Sequence, residues 1–298
     1  MTARRFDVVG IGESSIDYVY RVPRLPRAGG PAKLRIARAD VSPGGQVATT
    51  LAACAALGLR AAYVGAIGAD GNGRLIREAL EQRGIDTGSL IVRGGASRYA
   101  VILVEESSGE RVVLWHRDPA VVLRPADVRP EILRAARLVH VDAVDESAAI
   151  HAAVAAREAG VPVTSDIDQV TDGTRALVAA VTIPILADGV PQALTGESSP
   201  EAALRALRRN HNGLLCVTRG ALGAMLLDGD TLHEVPAGDV EAVDTTGAGD
   251  VFRGAFIYAL LRGDAPREVL RFANAAAAVS CTREGAMAGV PRLEEIGA

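Results

Sequence analysis

The sequence predicts a three-layer α/β/α sandwich: a mainly parallel sheet between two layers of helices, with a small lid of β-strands. Short apolar runs alternate with helical stretches along the 298 residues, which is typical of repeated strand–helix–strand units. Glycines follow the predicted helices at Gly84, Gly160 and Gly213, because glycine takes the left-handed conformation that ends a helix at no steric cost. Apolar residues make up 49% of the chain and aromatic residues only 3%, so we expect a core of Ala, Val, Leu and Ile. The whole chain, residues 1–298, is long enough for one domain of this kind.

The order of the elements supports this fold. Residues 6–12 (FDVVGIG) are predicted as a buried first strand, residues 46–57 as an Ala- and Leu-rich helix, and residues 61–67 as the next strand. Ser199, followed by a proline, marks the start of a later helix. The strands that follow the last two glycine stops are predicted at residues 161–166 and 214–218.

Two regions break this alternation and predict the lid. Residues 34–41, 98–105 and 110–116 alternate apolar and polar side chains, and a Ser-Ser-Gly turn joins the last two segments. We expect residues 14–42 and 97–118 to form an antiparallel ribbon over the edge of the main sheet, with one face exposed to solvent. The alternative, an ordinary antiparallel edge of the main sheet, stays open.

Composition excludes several classes of protein. The net charge is −4 without a basic cluster, so no nucleic-acid partner is expected. No apolar run reaches the roughly 18 residues of a membrane span, and the first residues do not read as a secretion signal, so we expect a cytoplasmic protein that binds no membrane. Cys54, Cys216 and Cys281 are read as small buried hydrophobes. The five histidines show no metal-ligand spacing.

The segment 243–256 (VDTTGAGDVFRGAF) carries the strongest chemical signal. Gly247, Ala248 and Gly249 precede an apolar helical run at 251–261, so their backbone amides face outward without helical partners and favour an anion. Asp250 falls in the first turn of that helix, where the helix dipole is expected to lower its pKa and keep it ionised. Phosphoryl transfer to a hydroxyl needs both parts, donors for the phosphoryl oxygens and a carboxylate for the proton.

This segment closely resembles the C-terminal signature of the ribokinase (PfkB-type) family of carbohydrate kinases. The resemblance implies a ribokinase-like fold and transfer of the γ-phosphate of ATP to a hydroxyl of a small ribose-, fructose- or keto-sugar-like substrate. It also implies that Asp250 is the catalytic base and that the amides of Gly247, Ala248 and Gly249 form the anion hole.

The resemblance extends to the sugar side of such a site. Gly44, Gly45 and Gln46 are similar to the family's N-terminal diglycine signature, and two glycines let the backbone approach a polar ligand closely. Thr49 stands where the family usually carries Asn. Asp17 aligns with an acidic residue that binds sugar hydroxyls in family members. The further side chains expected to face the substrate from the loop or lid are Lys33, Arg98, His116 and Arg117.

On the nucleotide side, Thr218, Gly220 and Gly223 resemble the family's ATP turn, and Asn274 is a candidate neighbour of the nucleotide. The resemblance also implies a potassium site, and its candidate residues are Asp244, Thr246, Ser280, Arg283 and Gly285.

One motif departs from the family. An Asn-x-x-Glu that organises Mg²⁺ often precedes a Leu-Thr-Gly, but here the matching positions are Ala187 and Val190, with Asp188 beside them. Magnesium would then be held mainly by ATP phosphates and water. The departure leaves a catalytically inactive sugar- or nucleotide-binding regulator as an alternative, and a basic side chain in the lid leaves a phosphorylated or sulfonated ketose as another substrate. The free edges of the lid strands predict a homodimer formed through the lid.

Overall fold

The computed structural model describes residues 4–30 and 33–297. Its strands are β1 Phe6–Ile11, β2 Ser15–Val22, β3 Arg38–Gly44, β4 Ala61–Val64, β5 Ala66–Gly68, β6 Ile91–Arg93, β7 Tyr99–Glu105, β8 Arg111–His116, β9 Ala136–Asp142, β10 Val163–Asp166, β11 Ile185–Ala187, β12 Leu215–Thr218, β13 Ala224–Asp228 and β14 Thr231–Val235. Its α-helices are α1 Gln46–Ala56, α2 Gly71–Glu81, α3 Pro130–Arg134, α4 Glu146–Glu158, α5 Thr174–Ala180, α6 Val190–Thr195, α7 Pro200–Arg208, α8 Ala248–Arg262 and α9 Pro266–Cys281.

The main sheet is built from two hydrogen-bonded groups of strands. One has the order β10-β9-β1-β4 and is parallel throughout, and the other has the order β11-β12-β13-β14. Parallel bridges from Thr164 to Ile183 and from Ile167 to Leu186 link the two groups. Only the far edge, β12-β13-β14, is antiparallel. The predicted α/β fold with a mainly parallel sheet is confirmed.

Alternate residues along the central strands face two different helical layers. Val8 and Leu138 pack in one core with α1 and with residues of α2 and α8, whereas Val9 and Val139 pack in a second core with α4 and α5. All four side chains are fully buried, and burial of each such side chain stabilises the fold by about 1.5–3 kcal/mol. The body therefore has the three predicted layers.

The predicted strand at 61–67 is two strands. Gly65 separates β4 from β5, and β5 pairs with β6 apart from the main sheet. A side chain at Gly65 would overlap the ring of Tyr63, since its Cβ would lie 2.0 Å from the hydroxyl oxygen. Only glycine therefore fits at this position between the two strands.

A second sheet, called here the outer sheet, consists of β2, β3, β7 and β8 in the order β3-β2-β7-β8. The expected hairpin of β7 and β8 is present, but the expectation of a purely antiparallel ribbon is wrong, since β2 and β7 pair in parallel. The elements between these two strands in sequence include α1, β4 and α2, and they form the crossover that a parallel pair requires. The strand expected at 34–41 begins only at Arg38, because β2 ends at Val22 and its register pairs Arg21 with Arg38.

Other local expectations hold. The Ser199 hydroxyl accepts a hydrogen bond from the Ala202 amide at 3.2 Å, so Ser199 caps α7. Cys54 and Cys216 are buried as expected, whereas Cys281 is only half-buried and differs from the expectation. Across residues 4–30 and 33–297, none of the helices has the length and apolarity needed to cross a membrane.

Candidate active site

The N-terminus of α8 forms the floor of the candidate site. Gly247 is its N-cap with φ 77°, and a Cβ there would lie 2.8 Å from Ala286, so both conformation and space require glycine. The Ala248 amide makes a long bond of 3.3 Å to the Thr245 carbonyl, while the amides of Gly247 and Gly249 have no backbone partner among the described residues. Two free amides and the positive end of a 15-residue helix provide the features of an anion site.

Asp250 lies in the first turn of α8, as the sequence predicts, but its environment differs from the expectation. Burial, and next to it the charge of Asp166, raise the pKa of Asp250 well above its ordinary value. The expectation that the helix dipole lowers this pKa is therefore wrong, because desolvation and a like charge outweigh the dipole. Asp166 is itself paired with Arg253, whose Nη2 lies 2.6 Å from Asp166 Oδ1.

A cleft of about 230 Å³ lies between this helix terminus and the outer sheet. We call it the central cleft. Asp17 from β2 and Asp250 from α8 both line it, as do Gly45 and Gln46 at the start of α1. The cleft therefore brings together the carboxylates that the sequence analysis singled out from opposite ends of the chain.

The diglycine serves the close packing of the chain on itself. A Cβ at Gly44 would lie 2.7 Å from the Asp17 carboxylate, and one at Gly45, with φ 96°, would lie 2.5 Å from the Ser14 Cα. Glycine at both positions thus allows Asp17 to lie against the start of α1. Burial raises the pKa of Asp17 to about 6, with the nearby charge of Glu13 adding to the effect.

Gln46 and Thr49 have different positions relative to the cleft. The Gln46 Nε2 donates to Asp168 at 3.0 Å, and its Oε1 has no partner among the described residues. Thr49 is fully buried within α1 and does not line the central cleft, so the structure does not bring it to the expected sugar contact.

The basic side chains around the cleft are already paired with acids. Arg98, 3% exposed, donates to both oxygens of Asp145 at 2.6 Å, and Arg117 lies 3.2 Å from the Glu13 carboxylate. His116 lines the cleft from β8, with its ring against Tyr99. Lys33 is exposed and does not line the central cleft. Neither of these arginines is therefore paired with Asp17 or Asp250.

Arg111 of β8 reaches from the outer sheet to the N-terminus of α8. Its Nη1 donates to the Thr246 hydroxyl at 3.0 Å and lies 4.0 Å from Asp244. Arg111 thus places a positive charge beside the residue that precedes Gly247. Sequence reasoning missed this residue, because a basic residue on a short exposed strand has the pattern of an ordinary solvated surface.

The residues of the expected potassium site form one cluster. Asp244 accepts hydrogen bonds from the amides of Thr246 and Gly285, both at 2.9 Å. The Ser280 carbonyl accepts from the Arg283 amide at 3.1 Å. The carbonyl groups keep a second lone pair each, so this loop cluster has suitable oxygen donors for a monovalent cation.

The expected nucleotide residues lie on and around the antiparallel edge of the main sheet. Gly220 and Gly223 have φ 54° and 84° in the turn after β12, and the Thr218 hydroxyl donates to the Leu186 carbonyl at 3.5 Å. Asn274 is buried and donates to the carbonyls of Val235 and Pro236 at 2.9 and 3.0 Å. Its amide group therefore holds α9 against the end of β14.

The structure also locates Ala187 and Val190, which stand where the family's Asn-x-x-Glu motif would have Asn and Glu. Ala187 ends β11 and Val190 begins α6, while the Asp188 carboxylate accepts from the Gly189 amide at 3.0 Å. In the described part of the chain, no group of three or more His, Cys, Asp or Glu side chains is arranged to hold a metal ion.

The sequence analysis did not single out Asp166 and Arg253, which lie next to Asp250 in the structure. Asp166 ends a buried parallel strand next to the strand that ends in Asp142, so a carboxylate at the carboxyl edge of the sheet was a usable signal. Arg253 lies inside the 243–256 motif, where its neighbours are small or apolar, and a charge at that helical position was the second signal.

The fold is an α/β sandwich, and its candidate site lies at the carboxyl edge of the sheet, where ligands bind in folds of this class. The description "pfkB family carbohydrate kinase" matches residues 5–293, and the chain belongs to this family. It is similar to fructokinase-1 of Oryza sativa subsp. japonica, 29% identical over 99% of this chain and 98% of that protein. It is also similar to an ATP-dependent ribose-1-phosphate kinase of Halopiger xanaduensis, 33% identical over 94% of this chain and 93% of that protein.

Among solved structures, the ribokinase of Arabidopsis thaliana complexed with ribose and ATP has a TM-score of 0.83 and 26% identity, and covers 98% of this chain and 97% of its own. The predicted ribokinase-like fold and the predicted family are confirmed. The protein is an ATP-dependent carbohydrate kinase, as the sequence predicted.

Proposed function

We propose that the protein transfers the γ-phosphate of ATP to a hydroxyl of an uncharged sugar held in the central cleft. The observation that carries this proposal is that Asp17, Asp250 and Gly247 line one cleft of about 230 Å³. Asp17 accepts hydrogen bonds from sugar hydroxyls, and Asp250 takes the proton of the attacking hydroxyl as base. The free amides of Gly247 and Gly249, with the Ala248 amide once it leaves Thr245, stabilise the transferring phosphoryl group.

The charge of the cleft supports an uncharged substrate. Arg98 and Arg117 are each neutralised by an acid, whereas Asp17 and Asp250 have no basic partner of their own. A second anion on the sugar would be placed beside carboxylates and disfavoured by like-charge repulsion. Ribose, fructose and related keto-sugars fit this pattern better than their phosphates or sulfonates.

A phosphorylated or sulfonated sugar is the second candidate. The 33% identical relative is named a ribose-1-phosphate kinase, and Arg98 keeps Nε and Nη1 without partners among the described residues. Those two donors are suited to an anionic oxygen.

We also propose how ATP and the ions are held. The turn with Thr218, Gly220 and Gly223 borders the nucleotide, and Asn274 shapes that border through its bonds to the end of β14. Magnesium would bind together with ATP and neutralise the charge of its phosphates. Phosphate oxygens and water would be its ligands, because the described residues offer no carboxylate cluster for it. The loop of Asp244, Thr246, Ser280, Arg283 and Gly285 would hold K⁺ through its oxygens.

The outer sheet is proposed as the lid, formed by residues 14–42 and 97–118, over a single domain of residues 1–298. The strand β8 is exposed along its whole length and carries Trp115, 68% exposed, on the free edge of the sheet. Pairing of two such edges would produce a homodimer in the cytoplasm. We propose neither a nucleic-acid nor a membrane partner.

Coupled ADP release over a panel of sugars tests the proposal. The panel contains ribose, fructose, 2-keto-3-deoxygluconate, fructose phosphates, ribose 1-phosphate, 6-deoxy-6-sulfofructose and nucleosides, each with Mg²⁺ and with or without K⁺. We expect the highest kcat/KM with an uncharged sugar. A phosphorylated or sulfonated sugar with the highest value would establish the second candidate, and tight sugar binding without turnover of any member would favour a regulator.

A further inference from the structure

Behind the candidate base lies a buried ion pair that the proposed reaction does not use. Arg253 follows Asp250 by three residues on α8, and its Nη2 lies 2.6 Å from Asp166 Oδ1 at the end of β10. The two side chains are only 4% and 2% exposed. β10 packs against α8, and each of the Asp166 and Asp250 carboxyl groups affects the pKa of the other, so the three groups form a line from the cleft into the core.

Stability alone does not explain an ion pair at this depth. Taking two charges out of water costs several kcal/mol each, and apolar residues of similar size often serve a core equally well. The guanidinium also lies beneath the anion site, because a Cβ at Gly249 would be 2.7 Å from Arg253 Nη1. Arg253 thus lies close to the backbone at Gly249 and is paired with the carboxylate that affects the base.

The charges around Asp250 come from several elements. Asp166 at the end of β10, Asp168 in the following loop and Glu13 after β1 are acidic. On β9, burial and then the charge of Arg253 lower the pKa of His140 to about 3, so His140 is neutral. Burial raises the pKa of Asp142 on the same strand to about 8, so this acid is mostly protonated at neutral pH.

Against these acids, Arg253 is the cation that faces the pair. Burial and the charge of Asp166 raise the pKa of Asp250, and the charge of Arg253 lowers it. Two adjacent carboxyl groups resist ionising together, and a guanidinium on the far side of one of them offsets that repulsion.

We propose that Arg253, acting through Asp166, is a positioning residue that keeps Asp250 able to accept a proton at neutral pH. This inference rests on the proposed role of Asp250 as base. Arg253 does not touch the substrate; it fixes the Asp166 carboxylate and supplies the positive charge that lets both acids ionise together.

The test is the acid limb of the pH profile of kcat. In R253M the midpoint of this limb should move to higher pH by about one unit or more, because the change removes a positive charge near Asp250. In D166N the midpoint should move to lower pH, because the change removes a negative charge. R253K should keep the limb near that of the native protein. R262M, an exposed arginine at the end of the same helix, is the matched control and should leave it unchanged.

A structural role would give another result. If Arg253 only served packing, R253M would lower kcat at every pH and leave the midpoint in place. We instead expect kcat of R253M to approach the native value at pH values above its shifted midpoint. The double variant D166N/R253M removes both charges and should return the midpoint toward the native value. An unmoved midpoint in both R253M and D166N, in proteins with native circular dichroism, would overturn the proposal.

A readout without turnover separates this inference from the proposed function. Infrared titration of protein with isotope-labelled aspartate, with D250N subtracted, follows ionisation of Asp250 directly. The Asp250 midpoint should rise in R253M and fall in D166N even if no tested sugar is phosphorylated. If the midpoints shift but no sugar is turned over, the proposed function fails while the positioning role stands; if the midpoints stay fixed, the positioning role fails.

Discussion

The body and the outer sheet each contribute a carboxylate to the central cleft, and the two carboxylates have different surroundings. Asp250 starts a helix packed against α1 and α9 in the core, and it is linked to the buried Asp166 and Arg253. Asp17 lies in β2 of the outer sheet, where its contact is the Ser15 hydroxyl at 3.4 Å. Under the proposed function, this difference corresponds to a division of tasks, in which the body holds the reacting groups and the outer sheet binds the sugar.

The largest effect is expected on the body side. In D250N the base is lost while the shape of the cleft is kept, so kcat should fall about a hundred- to ten-thousandfold. Sugar binding should survive, and the fluorescence of Trp115, the only tryptophan of the chain and part of the cleft wall, can measure it. A kcat within a few-fold of the native value would remove Asp250 from its role.

The corresponding change on the outer sheet should affect binding rather than rate. D17N replaces a charged acceptor of sugar hydroxyls with an amide, and loss of one such bond, about 1.5–3 kcal/mol, corresponds to a rise in KM for the sugar of about ten- to a hundredfold. Steady-state kinetics at saturating ATP measures both constants. As a control, D40N on the neighbouring strand β3 changes an acid outside the central cleft and should leave KM unaltered.

The same carboxylate predicts a pH dependence of binding. Since the pKa of Asp17 is raised to about 6, the carboxylate form is present above that pH and is lost as the pH falls through it. KM for the sugar should therefore rise below about pH 6 in the native protein and remain flat there in D17N. Equal pH profiles of KM in the two proteins would contradict the assigned contact.

Arg111 of the outer sheet bonds to Thr246 of the body, and its removal should lower kcat less than the loss of Asp250 does. R111M takes away the bond to Thr246 and a positive charge near the phosphoryl site, and we expect kcat to fall about tenfold, because the side chain is 46% exposed and its charge is screened. R111K should recover part of the loss. R124M, an exposed arginine outside the central cleft, is the control; a normal kcat in R111M would show that the outer sheet contributes no charge to catalysis.

The smallest functional effect is expected at the outer edge of the sheet. Leu114 on β8 is 57% exposed, and L114E should change the free energy of unfolding by no more than about 0.5 kcal/mol. If β8 pairs across a dimer, the same change should convert the dimer into a monomer in light scattering. A native protein that is already monomeric would dismiss the edge-to-edge pairing.

The body was more predictable from sequence than the outer sheet, and the reason is physical. Buried parallel strands give continuous apolar runs, and the Gly-Ala-Gly at the start of α8 reflects the close approach of Gly247 to Ala286. The outer sheet is half-exposed, so its alternation located β7 and β8 but could not show that β2 joins β7 in parallel. Pairing between distant strands depends on the tertiary fold and leaves no local pattern.

The candidate site shows the same limit. Local motifs located Asp250, Gly247 and Gln46, whereas the pKa of Asp250 was predicted in the wrong direction. Its value depends on Asp166, 84 positions earlier in the chain, whose approach follows only from the order of the sheet. Thr49 was expected at the sugar because of its place in the diglycine motif. In the folded helix α1 its side chain instead faces the core, so the motif position did not predict a contact with the cleft.

The most direct test of the central claim is the fate of the γ-phosphate itself. The protein is incubated with ATP radiolabelled at the γ-phosphate and with the best uncharged sugar, and the products are separated by charge. We expect the label to appear on a sugar hydroxyl in amounts equal to the ADP formed, and we expect D250N to slow this transfer. Label released only as inorganic phosphate, or equal transfer by D250N, would contradict it.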